Sequence, residues 1–120
     1  MISFAGSCTA ALGVTDLERG VAFYRDVLGF TVAAVMPEHG WAQLRSPVDG
    51  LSLGLGSVEE VRRGGGATLT FEVHDLDAAR AELERGGVAF DGDTVDVAAE
   101  LRIATFFDPD GNQLMLTEHR

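Results

Sequence analysis

The chain carries one plan twice. Val14-Thr15-Asp16-Leu17 returns as Val73-His74-Asp75-Leu76, 59 places on, and Asp49-Gly50-Leu51-Ser52-Leu53 returns as Asp110-Gly111-Asn112-Gln113-Leu114, 61 places on. A repeat of this length implies two copies of one supersecondary unit. At 120 residues the chain has room for a single ordinary domain. The copies, about 1–60 and 66–120, are therefore expected as modules of that domain. Gly64-Gly65-Gly66 between them reads as a flexible, Gly-rich linker.

Each copy opens with a strand. Ala10, Leu12 and Val14 alternate with Thr9, Ala11 and Gly13; Leu69, Phe71 and Val73 alternate with Thr68, Thr70 and Glu72. A helix follows each. Thr15 or Asp16 caps the first, whose stripe is Leu17, Val21, Tyr24 and Leu28, with Gly29 as its stop. Asp75 caps the second, which runs through Leu76, Ala79 and Leu83 to Gly86-Gly87. Three more strands are predicted per copy, over about 30–36, 41–46 and 51–56, then 88–97, 101–107 and 112–118. Asp108-Pro109-Asp110-Gly111 is a strong turn signal, because Pro presets φ and Gly accepts the left-handed end. The plan is βαβββ, twice, an α+β architecture.

One helix covers one face of a four-stranded sheet. The alternating leucines, Leu51, Leu53 and Leu55 and then Leu114 and Leu116, assign that face. The opposite face is expected to carry Thr9, Ala11 and Gly13; Trp41, Gln43 and Arg45; and Ser52, Gly54 and Gly56. In the second copy it is expected to carry Thr68, Thr70 and Glu72; Arg102, Ala104 and Phe106; and Gln113, Met115 and Thr117. Small and polar residues dominate, with a few large ones. If the two curved, mixed sheets turn toward one another, this surface lines a cleft for a small molecule. A merely solvated sheet face is the plainer alternative, but Trp41, Phe106 and Met115 would be costly to leave exposed together.

Nine Lys+Arg against nineteen Asp+Glu give a net charge of −10. Such a chain lacks the basic patch that nucleic acid or an anionic membrane requires. No apolar run approaches a membrane span. No Lys or Arg precedes Arg19, so a secretory signal is not expected. The one cysteine, Cys8, cannot form an internal disulfide and reads as a small strand residue. A cytoplasmic location is expected.

Val-x-Asp-Leu-x-x-x-x-x-Phe-Tyr-x-x-x-Leu-Gly-Phe, from Val14 to Phe30, resembles the glyoxalase/bleomycin-resistance/extradiol-dioxygenase superfamily, the vicinal oxygen chelate proteins. Asp108-Pro109-Asp110-Gly111-Asn112-Gln113-Leu114 is similar to its usual closing motif. The resemblance spans nearly the whole chain. It implies paired βαβββ modules around a cleft and a homodimer. For the family's metalloenzymes it also implies four ligand positions, which here are Thr9, Gly54, Thr68 and Met115. None supplies the carboxylate, imidazole or thiolate that a divalent metal needs. His39, His74 and His119 read as surface histidines. No metal and no cofactor is therefore expected.

Two readings lead, with a partner-binding or regulatory protein whose cleft stays empty as a third. In the first, the chain is a metal-independent binding protein for a small organic molecule, as in the antibiotic-sequestering branch of the family. Trp41 and Phe106 would stack on the ligand, and Thr68, Thr70, Gln43 and Gln113 would orient its polar groups. Arg45, Arg102 and Glu72 would recognise charge, and Thr9, Ser52, Gly54 and Met115 would complete the lining. In the second, it is a lyase, isomerase or dioxygenase with an atypical metal site, or a metal-free catalyst with Glu72 as base. No nucleophile elbow, Walker loop or C-x-x-C motif is present.

Overall fold

The computed structural model describes residues 1, 3, 5–64 and 66–120. The expected Gly64-Gly65-Gly66 linker therefore lies partly outside the described residues, at Gly65. Two compact units are present, Met1–Val61 and Arg62–Arg120. Each is a four-stranded mixed sheet with helical cover, so the α+β class and the repeated βαβββ order are observed.

The first unit runs β1 (Cys8–Val14), α1 (Leu17–Ala22), β2 (Thr31–Met36), β3 (Trp41–Arg45) and β4 (Leu51–Ser57). Its strand order is β1-β4-β3-β2. β1 pairs parallel with β4, and the other pairs are antiparallel. The second unit runs β5 (Leu69–Glu72), α2 (Leu76–Arg85), β6 (Val95–Ala98), β7 (Leu101–Phe107) and β8 (Gln113–His119), in the order β5-β8-β7-β6. No helix among the described residues is long and apolar enough to cross a membrane.

The caps follow the sequence. Asp16 Oδ1 accepts the Arg19 N–H at 3.0 Å, and Asp75 Oδ1 accepts that of Ala78 at 3.0 Å. Both satisfy amide groups left over at a helix start. The first helix departs from a plain α-helix. After Ala22 it widens into a π-turn over Phe23–Val27, where the Leu28 N–H reaches back five residues to the Phe23 carbonyl at 3.3 Å. Gly29 then ends it at φ 78°. Tyr24 sits at the turn, fully buried.

The strand expected over 88–97 is shorter. Only Val95–Ala98 forms β6, while Phe90 makes an isolated bridge to Phe106. Asp91-Gly92-Asp93 interrupts it, with Gly92 at φ 75°, a backbone state no extended strand contains.

The helix-side faces form the cores. Ala42, Leu44, Leu53 and Leu55 lie with Val14, Val21 and Tyr24 in the first unit. Leu76, Ala104, Phe106, Leu114 and Leu116 are buried in the second. The closing turn is built on Asp108, itself buried. Its Oδ1 accepts the amides of Asp110 (3.0 Å) and Asn112 (2.8 Å), and its Oδ2 accepts Asn112 Nδ2 (2.8 Å). Gly111 completes the turn at φ 91°.

Candidate functional site

On the first sheet, register places Thr9, Ser52 and Arg45 in one row, Ala11, Gly54 and Gln43 in the next, and Gly13, Gly56 and Trp41 in the third. These residues alternate with the buried leucines and form the open face, as their pattern in the sequence predicts. Met36 pairs with Trp41 and Ala34 with Gln43, which extends the face onto β2.

Trp41 organises this surface. A Cβ built on Gly54 would overlap Cζ2 and Cη2 of its indole, and one on Gly56 would lie 3.6 and 3.7 Å from Cζ3 and Cε3. The indole thus lies flat along β4 in a space that only glycine leaves open. Its Nε1–H donates to Gln43 Oε1 (3.2 Å), and Gln43 Nε2 donates to Thr9 Oγ1 (3.4 Å). Because an indole N–H can only donate, the relay has one direction, and it fixes the amide of Gln43. One ring face is against the strand. The half-exposed remainder is an aromatic platform with the Gln43 amide at its edge, and Arg45 stands two rows further along the same face.

On the second sheet, Thr70 pairs with Met115 and Glu72 with Thr117, so these four share the open face. Gln113 belongs to the same alternation, and Thr68, half-buried, immediately precedes β5. The β7 assignment requires correction. Register pairs Phe107 with Gln113, Thr105 with Met115 and Ile103 with Thr117. The open face therefore carries Ile103, Thr105 and Phe107.

Arg102, Ala104 and Phe106 lie on the helix side. Phe106 is 1% exposed and packs on Phe90, with ring centroids 5.2 Å apart. It is a core residue and stacks on no ligand. The cause is the hairpin between the last two strands. Arg45 faces Ser52, but Phe107 faces Gln113, so the second loop is one residue shorter. A one-place slip exchanges the two faces of a strand. Matching Ala42-x-Leu44 to Ala104-x-Phe106 would have revealed this.

Arg102 is the hub of an ion network. Its guanidinium donates to Asp77 Oδ1 on α2 (3.0 Å), Glu118 Oε1 (3.2 Å) and Asp96 Oδ1 (3.3 Å). The hydrogen bond from Arg102, then its charge, holds the Asp77 carboxyl below the ordinary Asp value. The bond to Asp77 chiefly raises the Arg102 pKa. An arginine so engaged ties helix to sheet and recognises no ligand on the open face.

Two groups were missed. His119 continues the alternation of Thr117, and its Nε2 lies 3.3 Å from Glu72 Oε2, both side chains being exposed. The Arg63 guanidinium sits over the Phe107 ring, 3.9 Å from its centroid. A strand extended by one residue to His119 would have signalled the first.

The four positions implied for a metal give a poor donor set. Thr9 accepts from Gln43, Gly54 lies under Trp41, and Thr68 and Met115 bring a hydroxyl and a thioether. Among the described residues no three His, Cys, Asp or Glu side chains come together as a metal site.

Residues 7–116 match the profile of the Glyoxalase/Bleomycin resistance protein/Dioxygenase superfamily. Among solved structures, an antibiotic binding protein from Streptomyces sp. CB03234 is 29% identical, at TM-score 0.77 with 100% of each chain covered. A glyoxalase/bleomycin resistance protein from the same organism is 33% identical, at TM-score 0.71 with 92% of this chain and 97% of that one covered. The mitochondrial methylmalonyl-CoA epimerase of Mus musculus is 30% identical over a 112-residue alignment, which covers 82% of this chain and only 63% of the enzyme's length. By sequence profile and by fold, the chain belongs to the Glyoxalase/Bleomycin resistance protein/Dioxygenase superfamily.

Proposed function

We propose that the protein binds a small organic molecule with a flat, largely apolar body, without a metal, on the open face that carries Trp41. The observation that carries this reading is the indole laid along Gly54 and Gly56. A large aromatic surface held in place by a hydrogen-bond relay costs little to order when a ring stacks on it. Gln43 at its edge, and Thr9, Ser52 and Arg45 in the row beyond, offer groups on the same face for the ligand's polar edge. The likeness to an antibiotic binding protein supports sequestration as the biological use. The donor set at Thr9, Gly54, Thr68 and Met115 supports independence from metal.

Trp41 is the only tryptophan in the chain, so its emission reports on the site alone. A panel of aromatic antibiotics and metabolites is titrated against that emission. Saturable quenching at one equivalent is expected, and calorimetry, which does not depend on the fluorophore, should show the same ligand binding lost in Trp41→Ala. Silence across the panel, or stoichiometric Ni, Zn, Fe or Mn in protein purified without chelator, would overturn the reading.

One observation favours a second reading. Glu72 and His119 stand 3.3 Å apart on the open face of the other sheet. A carboxylate steadied by an imidazole is a reasonable base for removing a proton next to a carbonyl, and the similarity to an epimerase adds weight. Incubation with methylmalonyl-CoA in deuterium oxide separates the two: label entering the substrate, and lost in Glu72→Gln, would favour catalysis.

A further inference from the structure

The first helix is short and covers only part of its sheet. It packs on β4 and β3. Val35 on β2 pairs with the fully buried Ala42 and so belongs to the helix side, yet it is 46% exposed. What separates Val35 from the helix is a groove of about 600 Å³, within the range of small-molecule sites.

One wall is a flank of the helix: Leu17, Val21 and Arg25 at i, i+4 and i+8, with Glu18 and Ala22 beside them. Val35 and Pro37 form the other wall, and Asp16 closes the end. The groove lies on the side of the sheet opposite Trp41, so it is independent of the site proposed above.

Its chemistry is graded along its length. The middle is apolar: Leu17, Val21, Ala22, Val35 and Pro37. At one end stand the carboxylates of Asp16 and Glu18. At the other end Arg25 is already matched, since its Nε and Nη2 donate to Asp26 at 2.7 and 2.8 Å. Asp16 already caps the helix through Oδ1, so the uncompensated charge of the lining is negative and centred on Glu18. A chain of net charge −10 adds a field of the same sign.

We infer that this groove is a second binding site, for small amphipathic monocations: an apolar body of aryl or alkyl type along the helix flank, with an ammonium group beside Glu18 and Asp16. Hydrophobic contact with the five apolar side chains supplies the affinity. The carboxylates select the sign of the head group and add a contribution that salt screens.

The test compares three probes of one shape, 4-phenylbutylamine, 4-phenylbutanol and 4-phenylbutyrate, by amide-resolved NMR of the intact chain. The amine is expected to shift the amides of Leu17, Val21, Ala22 and Val35 saturably. It should bind roughly two- to fivefold tighter than the alcohol, the size of an exposed ion pair, with the butyrate weakest. Glu18→Gln should reduce the amine to the alcohol's affinity, and Ala22→Trp, which fills the groove, should abolish all three while the spectrum stays dispersed. The inference is overturned if the butyrate matches the amine or if the amine shifts only the Trp41 face. It is equally overturned if the groove amides shift with protein concentration alone, which would assign the groove to a second copy of the chain.

Discussion

The indole of Trp41 occupies the space that a side chain at position 54 would fill. Gly54 is buried beneath it in the middle of β4, where an extended backbone permits any residue. The glycine is therefore required by its neighbour, and the two positions act as a pair.

Gly54→Ala is expected to lift the indole off the strand and break its hydrogen bond to Gln43. Overpacking of this kind costs about 1–3 kcal/mol. The emission of the single tryptophan should shift to the red as the ring moves into water, and the urea midpoint should fall. Unchanged emission with an unchanged midpoint would show that the indole does not lie on this glycine.

Much of this was readable in the residues. The repeat, the two caps at Asp16 and Asp75 and the Asp108-Pro109-Asp110-Gly111 turn are local signals, and local chemistry decides them. The open face of the first sheet follows from alternation beside Leu53 and Leu55. The face of β7 did not follow, because strand register is set by loop length, and one residue fewer between β7 and β8 reverses it. Arg102 looked like a recognition residue for want of its partners. Asp77, Asp96 and Glu118 sit on three other elements, and no spacing in the chain announces their meeting. The relay from Trp41 through Gln43 to Thr9 spans 34 positions at its second step and was equally invisible.

The corrected face of β7 has a direct energetic consequence. Phe106 is a core residue against Phe90 and Leu114, so Phe106→Ala should cost about 3–5 kcal/mol in urea denaturation. Phe107, half-buried beneath Arg63, should cost clearly less when truncated. Equal losses at the two positions, or the reverse order, would restore the opposite alternation.

Acidification should act through the Arg102 network. Asp77 has a depressed pKa in the folded chain, so its contribution is fully present above the ordinary Asp value of 3.8 and is lost as pH falls through the lower folded value. Arg102→Gln removes the cause of the depression. The stability difference between native protein and variant should accordingly be widest near pH 7 and shrink below about pH 4. Carbon-detected NMR of the Asp77 carboxyl should show its titration moving up toward 3.8 in the variant. A titration midpoint indifferent to the substitution would sever Asp77 from Arg102.

The Asp108–Asn112 pair offers a sharper test of the closing turn. Asp108→Ala leaves two backbone amides and the Asn112 side chain without this acceptor inside a buried turn, and the loss should be about 2–4 kcal/mol. Asp108→Asn keeps an oxygen for the amides but turns an NH2 group toward Asn112 Nδ2, donor against donor. Asn112→Asp fails for the opposite reason, by setting two carboxylates together. Exchanging both residues restores one donor and one acceptor across the 2.8 Å contact. The double exchange should therefore be more stable than the sum of the two single losses predicts, with a coupling of about 0.5–3 kcal/mol in a double-mutant cycle. Additive losses would mean that the side-chain contact contributes nothing beyond the backbone bonds to Asp108.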